Sequence, residues 1–191
     1  MNNPNKAKLL PIRIYGDEIL RKVAREVQII DNDIKAFIKD LTHTMYERDG
    51  VGLAANQVGK DIRIFVVDTQ WSQEGASRVP KVMINPSITS RSGEEENEEG
   101  CISLPGIYAK VRRAGSITIS YTDPEGNQHT EEAEGFKAVA IQHEYDHLNG
   151  VLFVDHLGTL AKLKIKRKLK DLEKTTINGE NIRTEIYRPE D

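Results

Sequence analysis

Apolar residues along the chain change their spacing several times, and each change predicts an element. Ile34, Phe37, Ile38, Leu41 and Met45 recur at the three- and four-residue intervals of one helix face. Asp31-Asn32-Asp33 offers that helix an N-cap, and Asp49-Gly50 a stop. Residues 62–68 and 82–88 are rich in β-branched side chains and predict strands, with Pro86 marking an edge or a bulge in the second. Residues 116–121 alternate apolar and polar, Asp123-Pro124-Glu125-Gly126 is a turn, and residues 128–134 return as the other arm of a hairpin. Residues 50–57, 71–80 and the acidic stretch 93–100 are polar or small and are expected to be loops or solvated turns.

Residues 135–148 read differently. Phe136, Val139, Ala140, Ile141 and Leu148 are distributed almost all round a helix, which predicts a buried one, stopped by Asn149-Gly150. A last helix is expected over residues 156–174, burying a stripe of Leu160, Leu163, Leu169 and Leu172 beneath a cationic face. The predicted fold is α+β: antiparallel strands packed around a central buried helix, with a C-terminal helix. Residues 1–174 make a single domain, and 175–191 a polar tail with a short strand near residues 182–187.

A chain of 191 residues can bury roughly 70% of its unfolded surface, enough for a sizeable core. The formal net charge of −3 leaves no global footprint of a DNA- or membrane-binding protein. No apolar run approaches the roughly 20 residues of a membrane span, and the first fifteen residues lack the apolar core of a secretory signal. A cytoplasmic protein is expected. Cys101 is the only cysteine, so an intramolecular disulfide is excluded.

The buried helix carries the chemistry. In His143-Glu144-Tyr145-Asp146-His147 two histidines four apart share a helix face, so both imidazoles can reach one ion. Glu144 is then placed to take a proton from a metal-bound water without being a ligand. The reaction class is metal-assisted hydrolysis, and it requires a third ligand. One protease plan places that ligand where this chain has Phe153, which cannot bind metal. Glu173, Asp155 and His156 lie in unmatched contexts. Cys101 is the better donor, a soft ligand for zinc or ferrous iron. The segment Gly50-Val51-Gly52-Leu53-Ala54-Ala55 formally fits a loose dinucleotide fingerprint, but it follows a helix and precedes a strand, the reverse of what that site needs. It reads instead as backbone that approaches a substrate closely, with Gln57 as an amide donor.

Three segments together resemble the signature motifs of peptide deformylases, in that family's order: Gly50-Val51-Gly52-Leu53-Ala54-Ala55-Asn56-Gln57, Glu99-Gly100-Cys101-Ile102-Ser103 and Gln142-His143-Glu144-Tyr145-Asp146-His147. The opening Ile14-Tyr15-Gly16-Asp17-Glu18-Ile19-Leu20-Arg21 is also similar, and the resemblance covers about residues 10–172. It implies removal of the formyl group from the N-terminal formyl-methionine of new polypeptides, with residues 1–174 as the catalytic domain. It implies Cys101, His143 and His147 as ligands of one divalent metal ion, ferrous iron first, with zinc, nickel or cobalt tolerated. It implies Glu144 as general base, and Gln57 with the backbone N–H of Ile102 as oxyanion donors. Val51, Val139 and Ala140 would line the methionine pocket, while Gly52 and Gly100 would let the backbone pair with an extended peptide. Glu99 is expected to be structural, with Arg113 a partner for it. Family behaviour also suggests ribosome contact through the basic C-terminal helix. A metalloprotease and a non-catalytic, metal-bound ribosome module are the competing readings.

Overall fold

The computed structural model describes residues 6–185. In chain order its elements begin with β1 (Ile12–Arg13), α1 (Asn32–Glu47), β2 (Gly52–Ala54) and β3 (Ile64–Val67). Next come β4 (Lys81–Ser92), β5 (Glu95–Gly100), β6 (Tyr108–Arg113), β7 (Ser116–Thr122) and β8 (Gln128–Glu134). The chain then forms α2 (Gly135–Leu148), α3 (Thr159–Glu173) and β9 (Ile182–Arg183). One antiparallel sheet has the order β2-β3-β4-β7-β8, and two smaller sheets pair β5 with β6 and β1 with β9. The architecture is α+β, as the sequence predicts. No helix among the described residues is long and apolar enough to cross a membrane.

α1 starts where expected, because the Asp31 side chain accepts the Ile34 N–H at 2.9 Å. It ends before Asp49, which adopts a left-handed conformation with φ +54°. Its inner face buries Ile38, Leu41, Met45 and Tyr46. A fully buried aliphatic side chain of this size contributes about 1.5–3 kcal/mol. α2 packs against β2, β3, β7 and β8, and Ala138, Val139, Ala140, Ile141 and Leu148 are all buried. The expectation of apolar burial all round fails only at its first turn, where Phe136 is half exposed.

Three local expectations change. The segment 50–57 is not a plain loop: it forms β2 and then a 3-10 turn over Ala55–Val58, because its small residues pair with β3, Gly52 opposite Val67. The acidic stretch 93–100 is not a solvated turn but mostly β5, paired with a strand the sequence pattern did not indicate, β6. Cross-strand charge pairs make this possible, Arg112 reaching Glu96 at 3.1 Å and Arg113 reaching Glu99 at 2.5 Å. Of the two expectations for Pro86, an edge or a bulge, the second is met: it lies in the middle strand of the large sheet, where the register shifts between Ile84 and Ser87 and Asn85 has φ +50°.

α3 shows the largest difference. Leu160 and Leu163 are 78% and 65% exposed, and the side packed on the core consists of Ala161, Ile165, Leu169 and Leu172. The contact is a narrow seam, so the helix lies on the surface with no buried residue of its own. The chain beyond it is tied down by Asn181, whose side-chain amide donates to the Tyr15 and Leu172 carbonyls at 2.9 Å each. That places β9 beside β1, Ile12 opposite Arg183. The strand expected near residues 182–187 is observed at Ile182–Arg183, and residues 186–187 lie outside the described part of the chain.

Candidate active site

α2, the end of β5 and the 3-10 turn after β2 converge on one point. Helical spacing sets His143 and His147 on the same face, with their Nε2 atoms 3.2 Å apart. The chain leaving β5 delivers the Cys101 Sγ to 3.3 Å from His147 Nε2. One ligand atom from each of Cys101, His143 and His147 lies within 4.8 Å of the others.

The ring of His143 is oriented from behind. Its Nδ1 lies 2.9 Å from Glu99 Oε2. A carboxylate accepts only, so Nδ1 carries the proton and Nε2 turns its lone pair to the centre. Arg113 holds Glu99 with two hydrogen bonds, at 2.5 and 2.9 Å, and donates a third to Asp146 at 2.7 Å. Asp146 in turn lies 2.7 Å from His156 Nε2. Burial would raise the Glu99 carboxyl, but His143 and Arg113 outweigh it and hold the group at about 2.

The donor set fits a metal ion. Burial, and then the neighbouring charge of His143, push His147 well below its ordinary value, so it is neutral at pH 7 and ligand-ready. Burial would also lower His143, but Cys101 and Glu99 lift it to about 10, so the cluster favours a positive charge at its centre, and a metal ion held at Nε2 would take the place of a proton there. A thiol and two imidazole nitrogens, facing one another inside the protein, match the Cys/His sets that hold zinc and similar divalent ions. Phe153, which blocks the protease pattern, stacks on the His143 ring at 6.1 Å.

Glu144 is 5% exposed, and burial raises its carboxyl to about 7 against the opposing charges of His143 and Arg113. Among the described residues its Oε2 has no hydrogen-bond partner. Gln57, also buried, has its amide orientation set locally. The Ala54 N–H donates to Gln57 Oε1 at 2.9 Å, which turns Nε2 toward Cys101 Sγ at 3.3 Å and Ser103 Oγ at 3.2 Å.

These groups open into a groove of about 610 Å³. All five residues expected to touch substrate, Val51, Gly52, Gly100, Val139 and Ala140, line it, as does Ile102. A Cβ at Gly100 would fall 2.6 Å from the Tyr108 ring, so that exposed side chain would have to move to admit one. The sequence reading assigned no role to Ser103, Asp146 or His156, nor to Arg48 and Arg183, which also line the groove. Ser103 and Asp146 stand inside the quoted motifs, which was the available signal. His156 and Arg183 reach their places only through tertiary packing.

The chain was compared with known proteins. A family model described as polypeptide deformylase matches residues 9–163. A protein named peptide deformylase 1 from Clostridium perfringens (strain 13 / Type A) is 53% identical over 145 residues, covering 76% of this chain and 95% of that protein. A peptide deformylase from Alkalilimnicola ehrlichii is 47% identical over 164 residues, 86% of this chain and 90% of the relative. The crystal structure of a peptide deformylase from Legionella pneumophila superposes with a TM-score of 0.78 at 39% identity, covering 88% of this chain and 96% of that one.

Proposed function

The chain belongs to the polypeptide deformylase family, a family of hydrolases acting on N-formyl peptides, and we propose in detail how its residues remove the formyl group from the formyl-methionine of new polypeptides. The observation that carries this reading is the convergence of Cys101, His143 and His147 with Gln57 and Glu144 on one groove.

Cys101, His143 and His147 would hold one divalent ion, which supplies Lewis acidity and makes water nucleophilic near neutral pH. We propose ferrous iron, while the same donor set suits zinc, nickel or cobalt. Glu144 takes the proton of the attacking water on its unpaired Oε2 and gives it to the leaving amine. A C–O bond forms at the formyl carbon, the C–N bond breaks, and formate and a free N-terminus result. Gln57 Nε2 and the Ile102 N–H donate to the formyl oxygen as negative charge grows on it, each such donor being worth about 3 kcal/mol. The buried Val139 and Ala140, with Val51, form the methionine slot. The edges of β2 and β5, at Gly52 and Gly100, pair with the extended peptide backbone.

We take residues 1–174 as the catalytic domain, with residues 175–191 as a tail that adds β9 to it, and the site of action as the cytoplasm. Docking on the ribosome belongs to the same proposal. It rests on α3, where Leu160 and Leu163 are exposed beside Lys166, Arg167 and Lys170. Reversing Lys166 and Lys170 should weaken co-sedimentation with ribosomes; unchanged co-sedimentation sinks that part.

The decisive assay is anaerobic release of formate from a formyl-methionyl peptide, set against its acetylated analogue. Formate from the first and no cleavage of the second is expected. A metal-loaded enzyme that releases no formate overturns the reading.

A further inference from the structure

One part of the groove is not used by the chemistry above. At the α1–β9 end, two arginines far apart in sequence, Arg48 and Arg183, lie close enough for their charges to interact. Arg48, the C-cap of α1, donates from Nη1 to the Glu185 carbonyl at 2.6 Å and from Nη2 to the Thr184 carbonyl at 3.1 Å. Those two carbonyls immediately follow Arg183, which β9 brings alongside Ile12. Both arginines line the groove that contains Cys101 and Glu144, above the buried Ile12 and Ile14.

This pair is cationic. Among the described residues neither Arg48 nor Arg183 makes a salt bridge, and the buried Nε of Arg48 has no hydrogen-bond partner. Burial, and then the charge of Arg183, lower the pKa of Arg48, a mutual repulsion that a bound anion would relieve. Four acids also line the groove: Asp49 and Glu98 are solvent-exposed, Glu99 is paired with Arg113 and His143, and Glu144 belongs to the catalytic centre. Exposed charges are screened by water and salt, whereas the half-buried Arg48 guanidinium, held by two backbone carbonyls, keeps more of its field. The planar donors of arginine also match a carboxylate in shape.

We propose that Arg48 and Arg183 form a cationic subsite recognising a carboxylate on the peptide downstream of its formylated residue. This specificity determinant rests on the formyl-peptide reading of the groove. Asn181 and the pairing of β9 with β1 anchor the segment that brings residue 183 to the site, so the segment after α3 takes part in substrate choice.

The test uses formyl-Met-Ala-Ala-Ala amide with Glu or Gln walked along the three residues after methionine, together with the parent peptide as its free acid. Formate release is measured on one metal-loaded preparation, so the ratio of kcat/KM between two peptides cancels differences in folding and loading. The expected result is a preference of about fivefold for Glu over Gln at one position, carried by KM and shrinking as salt is added. Arg183→Glu should reverse it and Arg183→Lys keep part of it; Arg48→Gln gives a second route should the β9 variants fold poorly. Preference confined to the free acid would assign the subsite to the peptide's terminal carboxylate rather than to a side chain, which also supports it. Ratios near one throughout, or an unchanged ratio in Arg183→Glu, overturn the subsite while leaving deformylation intact. Absence of formate from every peptide overturns both.

Discussion

Gly52 and Glu144 are in contact: a Cβ added to Gly52 would stand 2.5 Å from Glu144 Oε1 and 2.7 Å from its Cγ. Any side chain on β2 at this point therefore displaces the carboxylate proposed to move the proton. Gly52→Ala should cost about 1–3 kcal/mol of stability, the usual range for overpacking. It should cost activity far more, about 10²-fold in kcat, the scale of a general base moved out of reach. Thermal melts beside steady-state kinetics would show this, and near-normal kcat in Gly52→Ala would contradict the assigned role of Glu144.

Gln57 offers a cleaner separation of binding from catalysis. Its Oε1 is anchored by the Ala54 N–H, so its Nε2 is fixed before substrate arrives. Gln57→Leu removes the donor while filling similar space. The expected loss is about 10²- to 10³-fold in kcat, with KM changed little. Metal content measured on the same samples should stay at one ion per chain. A variant that loses KM rather than kcat would mean that Gln57 grips the ground-state peptide.

Arg113 and Glu99 form a buried pair, 7% exposed each, behind His143, the proposed ligand. Arg113→Ala strands the carboxylate in the interior and should destabilise by about 3–5 kcal/mol. The pair also sets an acid limit. The folded-state value of Glu99, about 2, is below its ordinary 4.5. The stability from this shift is therefore complete above about pH 4.5 and drains as pH falls toward about 2, by on the order of 3 kcal/mol. Stability measured from pH 6 down to pH 2 should fall less steeply in Glu99→Gln than in the parent. Parallel curves would show that other carboxylates carry the acid response.

How much of this could be read from the sequence depended on how local the causes were. The α1 and α2 boundaries were legible because caps, stops and apolar spacing lie within a few residues of each other, as Asp31 and Ile34 illustrate. The shared helix face of His143 and His147 was legible for the same reason, through fixed helical spacing. β5 was not, because an acidic stretch such as Glu94-Glu95-Glu96 is a solvated turn on its own and becomes a strand only against Lys110, Arg112 and Arg113. The apolar face of α3 was misjudged because exposed Leu160 and Leu163 fit a helical stripe as well as the packed Ile165 and Leu169 do. His156 and Arg183 carry no sequence signal, since their partners Asp146 and Ile12 are chosen by packing.

Cys101 and Glu144 should separate metal binding from turnover. Cys101 presents its sulfur to the two imidazoles, at 3.3 Å from His147 Nε2, whereas Glu144 lines the same groove and carries a buried oxygen without a hydrogen-bond partner. Removing a donor from a set of three takes away binding energy directly, so Cys101→Ala should be isolated largely without metal and without activity. Glu144→Gln keeps all three donors and most of the side-chain shape but cannot accept a proton. It should retain about one ion per chain and lose about 10²- to 10⁴-fold in kcat. Metal analysis after anaerobic purification, paired with formate release, distinguishes the two. If Cys101→Ala kept its ion, the third ligand would have to lie elsewhere, and the protease reading, which does not need the thiol, would be favoured. If Glu144→Gln turned over normally, the proton would have to move through another group, and no other carboxylate among the described residues both lines the groove and lies buried without a partner.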